Sequence, residues 1–346
     1  MTTYCIRLVL VSAVLVRICS SQAMASAGST QAPRDSVPRG AATLTAIFGF
    51  VQAGGGVLSD APIPTLGLGH FIQRDWLTGA TYLGAEVGLM ALHSKLEDRI
   101  GSPELLKYPC VSNGSFFRSN SYSPLSDFYF QSADLTHLTL VNVYLIEIFS
   151  TYRSFHERAS STNKIRMETS VPSLMLSPFK PRYLLNPWVV VPPILTGAMM
   201  YLISKNDHTI YSAKEITLLN TRSAPNQTAR LFAAVNAFQY LMVASGEEMF
   251  FRGVLQTEFA EQTNPTIGLV ASSVLFGLFH IPNHDLNRGF AASLIGLYLG
   301  YLYSSSGYDL GAPIAFHFWW DFTVTLVPFI MDPRNTPLVY SITWKL

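Results

Sequence analysis

Ser245-Gly246-Glu247-Glu248-Met249-Phe250-Phe251-Arg252-Gly253 puts two adjacent carboxylates and an arginine into sequence that is otherwise strongly apolar. Upstream lie Leu231-Phe232-Ala233-Ala234-Val235 and Ala237 to Ala244. Charged side chains at bilayer depth are costly, so they face a cavity or a partner and mark function. Glu248 and Arg252 are four apart, so on a helix they share a face and can pair. Glu247 points about 100° away round the helix and is left free to act. The competing reading is an ion pair that only locks helix packing.

Composition agrees with a membrane setting. The chain has 346 residues, of which 49% are hydrophobic and 13% charged. Soluble chains carry roughly 25% charged residues. The balance implies an all-α, polytopic membrane bundle of about seven or eight transmembrane helices, with the lipid bilayer as its solvent. A net charge of +1 gives nucleic acid no electrostatic footing.

The N-terminus reads differently. Arg7 precedes the short apolar run Leu8 to Val16, and small residues around Ala23-Met24-Ala25 follow. That is the layout of a secretory signal peptide over residues 1–25. Cys5 and Cys19 fall within it, which leaves Cys110 alone.

Further along, apolar segments are expected at about 41–59, 77–93, 134–150, 186–203, 230–261, 266–281, 288–305 and 311–330. Polar stretches at 94–133, 151–185 and 204–228 read as loops. Glu86 interrupts the second segment and reads as a buried, hydrogen-bonded carboxyl. His70, in a Pro- and Gly-bearing loop, reads as an interface residue. Residues 26–184 thus form membrane helices and polar loops of unassigned role, 185–330 a dense helical core, and 331–346 a tail.

Three more polar positions sit inside the last helices. His280 follows Val274-Leu275-Phe276-Gly277-Leu278-Phe279, and His317 and Asp321 share a helix face four residues apart. Rise per residue tests whether they meet. Measured from a turn near Asn264, Glu247 and His280 both lie about 25 Å away, at matching depth. Measured from a turn near Asp309, His317 and Asp321 lie about 12 and 18 Å up the same way, a looser match. A carboxylate beside a histidine can take a proton from water as general base. A second histidine can donate to the oxyanion of a tetrahedral intermediate. That set fits hydrolysis of an amide within the membrane.

The order Glu-Glu-x-x-x-Arg, Phe-x-x-x-His, His-x-x-x-Asp on successive helices resembles the CAAX protease and bacteriocin-processing (CPBP) family, which includes the type II CAAX prenyl endopeptidases. The matching positions are Glu247, Glu248 and Arg252; Phe276 and His280; His317 and Asp321. The resemblance implies an all-helical, metal-independent membrane endopeptidase acting on a membrane protein or peptide. Glu247 and His280 would activate water, His317 and Asp321 would serve the oxyanion, and Glu248 and Arg252 would shape the site. It implies no cofactor, and zinc is disfavoured because no His-Glu-x-x-His is present. CAAX-processing members typically carry Asn where this chain has Asp321. An ionised Asp cannot donate a hydrogen bond. Asp321 is therefore either protonated or orients His317.

Two other readings compete with a protease. One is a non-enzymatic scaffold that keeps the fold. The other is a transporter with a Glu/His proton relay, although no inverted repeat or broken-helix pair supports it. The signal segment points to a bacterial inner membrane as the location.

Overall fold

The structure, a computed structural model, describes residues 65–100, 124–158, 170–204, 216–218, 221–223, 225–281 and 286–331. The signal segment, the first apolar segment at 41–59, Cys110 and most of the tail lie outside the described residues.

The chain is all-helical in class. Its helices are α1 (Leu68–Ile72), α2 (Trp76–Ile100), α3 (Pro124–Arg158), α4 (Val171–Met175), α5 (Pro181–Leu184) and α6 (Pro187–Ser204). They continue with α7 (Pro225–Glu248), a π-helical segment (Met249–Gln256), α8 (Thr257–Gln262), α9 (Pro265–His280), α10 (Leu286–Ser305) and α11 (Gly311–Met331). Three expectations need correction. The stretch 94–133, expected as a loop, is helical at both ends, since α2 runs to Ile100 and α3 starts at Pro124. The polar stretch 204–228 contains an antiparallel two-stranded hairpin, β1 (Ile216–Leu218) and β2 (Thr221–Ser223), with Thr217 opposite Arg222. The loop expected from residue 151 does not begin there, because α3 runs on to Arg158. Its last turns are amphipathic, and Tyr152 and His156 are buried there by bonds to Glu258 and Glu261 of α8.

The turns used as depth references are built by local chemistry. The Asn264 side chain accepts the Ile267 N–H at 3.0 Å, and Pro265 follows as first helical residue, so α9 starts there. Asp309 accepts the Gly311 N–H at 3.0 Å and the Tyr183 hydroxyl at 2.9 Å. Arg182 stands 3.3 Å from the same carboxylate. That cluster fixes where α11 begins, and so the depth of His317.

The main core lies between α3, α7, the π segment, α9 and α11, around Phe149, Phe250, Phe251, Phe276 and Phe318. A second cluster joins α6, α10 and α11 through Val189, Leu299, Ala315 and Phe316. The stacked rings of Phe232 and Phe329, 3.8 Å apart, close the far end of the α7–α11 seam. Helices α9 and α10 touch through small residues. A methyl group at Gly277 would lie 2.5 Å from the Gly289 carbonyl oxygen. Small residues that let backbones approach are the usual packing device where lipid removes the hydrophobic drive between helices.

The outside of this bundle is apolar. Ile194, Leu195 and Met199 of α6, Ile267, Val270, Val274 and Leu278 of α9, and Phe290 and Leu294 of α10 are all exposed. The α9 set repeats at three- and four-residue spacing, so one whole face is oily. Among the described residues, one helix, Gly311–Met331, is long and apolar enough to cross a membrane; Pro187–Leu202 and Pro265–His280 are apolar but shorter.

Candidate active site

The Glu-Glu stretch spans the end of α7 and the start of the π segment. The widened turns there follow from rerouted hydrogen bonds: Thr257 donates both its N–H and, at 2.9 Å, its hydroxyl to the Arg252 carbonyl oxygen, five residues back. Such segments are rare and concentrate at functional sites. Gly253 in the segment takes the Phe149 ring, which would stand 2.6 Å from an added methyl group.

Glu248 and Arg252 are fully buried and bonded, Arg252 Nη1 donating to Glu248 Oε1 at 2.9 Å. Arg252 Nη2 donates to the Gly296 carbonyl oxygen at 3.0 Å, and the guanidinium lies over the Phe276 ring, 4.5 Å from its centroid. One turn on, Gln256 donates to the Gly300 carbonyl oxygen at 2.9 Å. Glycine at 296 and 300 leaves the α10 backbone bare enough for both side chains to reach it. A methyl group at Gly300 would sit 2.7 Å from Gln256 Oε1. Gln256, Gly296 and Gly300 were not singled out in the sequence. The four-residue glycine spacing on α10 was the available signal.

The structure brings the remaining residues together. His280 donates from Nδ1 to the Phe276 carbonyl oxygen at 2.7 Å, which turns Nε2 toward Glu247. His280 Nε2 stands 4.0 Å and His317 Nε2 3.9 Å from Glu247 Oε2. That oxygen is buried and has no hydrogen-bond partner among the described residues. His317 Nε2 also lies 3.2 Å from Asp321 Oδ2. Its Nδ1 donates to Glu248 Oε1 at 2.8 Å, so Glu248 holds both Arg252 and His317.

These contacts set the proton inventory. Glu248 is paired with a cation and accepts, so Nδ1 of His317 carries a hydrogen. Nε2 then faces two carboxyls, Glu247 and Asp321. The 3.2 Å contact between His317 Nε2 and Asp321 Oδ2 is a hydrogen bond when either group carries the hydrogen between them. The site thus combines one carboxylate oxygen with no hydrogen-bond partner among the described residues and two imidazole edges 3.9 and 4.0 Å from it.

Residues 229–323 match the family model described as type II CAAX prenyl endopeptidase Rce1-like. That region runs from the start of α7 through the part of α11 that bears Asp321, and it holds the whole constellation. The match agrees with the motif resemblance. No curated protein and no solved structure matches the chain.

Proposed function

We propose, from the Rce1-like match over residues 229–323, that the chain is an intramembrane endopeptidase whose base is Glu247. The observation that carries this is the position of Glu247 Oε2, which faces two imidazole Nε2 atoms at 3.9 and 4.0 Å. Those gaps are too long for direct hydrogen bonds and suit bridging by one water oxygen. Glu247 takes a proton from that water while His280 Nε2 accepts its other hydrogen bond. The water oxygen bonds to the scissile carbonyl carbon. The proton on His317 Nε2 or Asp321 stabilises the oxyanion. Glu247 then returns its proton to the amide nitrogen as the C–N bond breaks.

Glu248 and Arg252 do not react in this account. They hold His317 in one tautomer, and Gly296 anchors Arg252. The mechanism needs no metal. The exposed apolar faces of α6, α9 and α10 support a bilayer as the surroundings. The substrate class is a membrane protein or peptide, and a bacterial inner membrane is the location that the signal segment supports.

Quantitative proteomics of membranes from cells with wild type or Glu247→Ala tests the reading. A substrate accumulates uncleaved in the variant if the account holds. Identical membrane proteomes, with both proteins inserted at equal level, would favour the scaffold reading.

A further inference from the structure

A second buried acidic pair lies outside the Rce1-like region. Glu86 of α2 and Glu147 of α3 are 0% and 1% exposed. The Thr65 hydroxyl sits between them, 2.6 Å from Glu86 Oε1 and in close hydrogen-bond contact with Glu147 Oε2. The Leu66 N–H donates to Glu86 Oε2 at 2.7 Å. A hydroxyl has one hydrogen, so Thr65 can donate to only one of them. The other contact is a hydrogen bond only if that carboxyl carries a proton and donates it to the Thr65 oxygen. Two ionised carboxylates this close in an apolar bundle would repel each other.

The pair also fixes backbone. Leu66 and Gly67 both adopt left-handed conformations, with φ of 54° and 71°. Gly67 lies so close to the start of α2 that a methyl group there would be 2.1 Å from the Gly79 carbonyl oxygen. Beyond the turn, Gln73 donates to the Thr151 carbonyl oxygen of α3 at 3.1 Å. The whole stretch from Thr65 to Gln73 is therefore laid against α2 and α3, with the carboxyl pair at its head. The other titratable groups around the pair are Tyr82 on α2, Tyr144 and Arg153 on α3, and His70 of α1, which stacks on Tyr82 at 5.4 Å.

We propose that Glu86 and Glu147 share a single proton and that this proton clasps the Thr65–Gly67 turn onto the α2–α3 pair. The sign follows from the bonding. The clasp is closed while the proton is bound. It opens as pH rises, because the second charge cannot be held beside the first. Opening frees a turn anchored to α3, the helix whose Phe149 packs on Gly253 of the π segment. The inference does not rest on the protease reading, and its test reads no proteolysis.

The experiment uses the full chain in lipid nanodiscs. Infrared difference spectra taken between neutral and alkaline pH, where ordinary carboxyls are already ionised, should show a carboxylic-acid carbonyl band that is lost in part in Glu147→Gln. Hydrogen exchange over residues 65–75, corrected for the intrinsic rate at each pH, should accelerate with pH in the wild type. In Glu147→Gln it should stay slow throughout, because the amide still donates where the acid did. A neutral-to-alkaline spectrum with no acid band, or one that is the same in wild type and Glu147→Gln, would overturn the proposal. So would exchange over 65–75 that follows pH equally in wild type and Glu147→Gln.

Discussion

His317 Nδ1 lies 2.8 Å from Glu248 Oε1, the same oxygen that accepts from Arg252 Nη1 at 2.9 Å. One buried carboxylate oxygen therefore ties the last motif helix to the Glu-Glu stretch. The spacing of Glu248 and Arg252 suggests a pair that shapes the site, with Glu247 left free to act. The contact with His317 makes that pair the support of the histidine.

Arg252→Ala should cost both stability and activity. It strands Glu248 as a buried charge and removes the hydrogen bond to Gly296. Breaking a buried pair from one side costs about 3–5 kcal/mol. Thermal unfolding in detergent should show a large downward shift. An unchanged midpoint would mean the pair is hydrated rather than buried.

Gly296→Val should act on the site without touching a reacting group. The added side chain meets Ser273, whose Cα would be 3.2 Å from a methyl group, and it crowds the carbonyl that holds Arg252. Overpacking of this kind typically costs about 1–3 kcal/mol. We expect reduced turnover that Gly296→Ala shares only weakly, measured on one substrate in matched proteoliposomes. Equal activity of wild type and Gly296→Val would disconnect the α10 contact from the site.

Much of this architecture was legible in the sequence. The apolar runs marked α6, α9, α10 and α11 within a residue or two, because lipid-length runs bounded by Asn264 and Asp309 leave little choice. Depth matching placed Glu247 and His280 together, since both are counted from one turn. The Glu248–His317 contact was not legible: spacing gives the face of one helix, never the neighbour it meets. The π segment was not legible either: its rerouted bonds run from Thr257 to the Arg252 carbonyl oxygen, and the ring packed on its Gly253, Phe149, comes from a distant helix. Glu147 passed unremarked inside an apolar run, and its partners Glu86 and Thr65 lie far away in the chain. The end of α3 reads as loop because its polar residues are buried by distant parts of the chain, Thr151 against Gly69 and Gln73, Tyr152 and His156 against α8.

Asp321→Asn should retain activity. The amide donates at any pH, whereas Asp321 does so only when it holds the proton it shares with His317. Turnover of the variant and of wild type on one membrane substrate, at matched inserted protein, checks this. A folded, inactive Asp321→Asn would reassign Asp321 as an ionised group that orients His317.

Chelators should leave activity unchanged. The account assigns water activation to Glu247 and His280, with no metal in any step. Loss of activity on dialysis against chelator, restored by zinc and by no other ion, would move the chemistry to a metal.

The central claim is that Glu247 is the general base. The decisive measurement compares wild type and Glu247→Gln, purified and reconstituted, on one membrane substrate identified by its accumulation in cells. The amide keeps the size of the side chain but cannot take a proton. The account predicts that cleavage falls by about two to four orders of magnitude while thermal stability is kept. Full cleavage by a folded Glu247→Gln would contradict it.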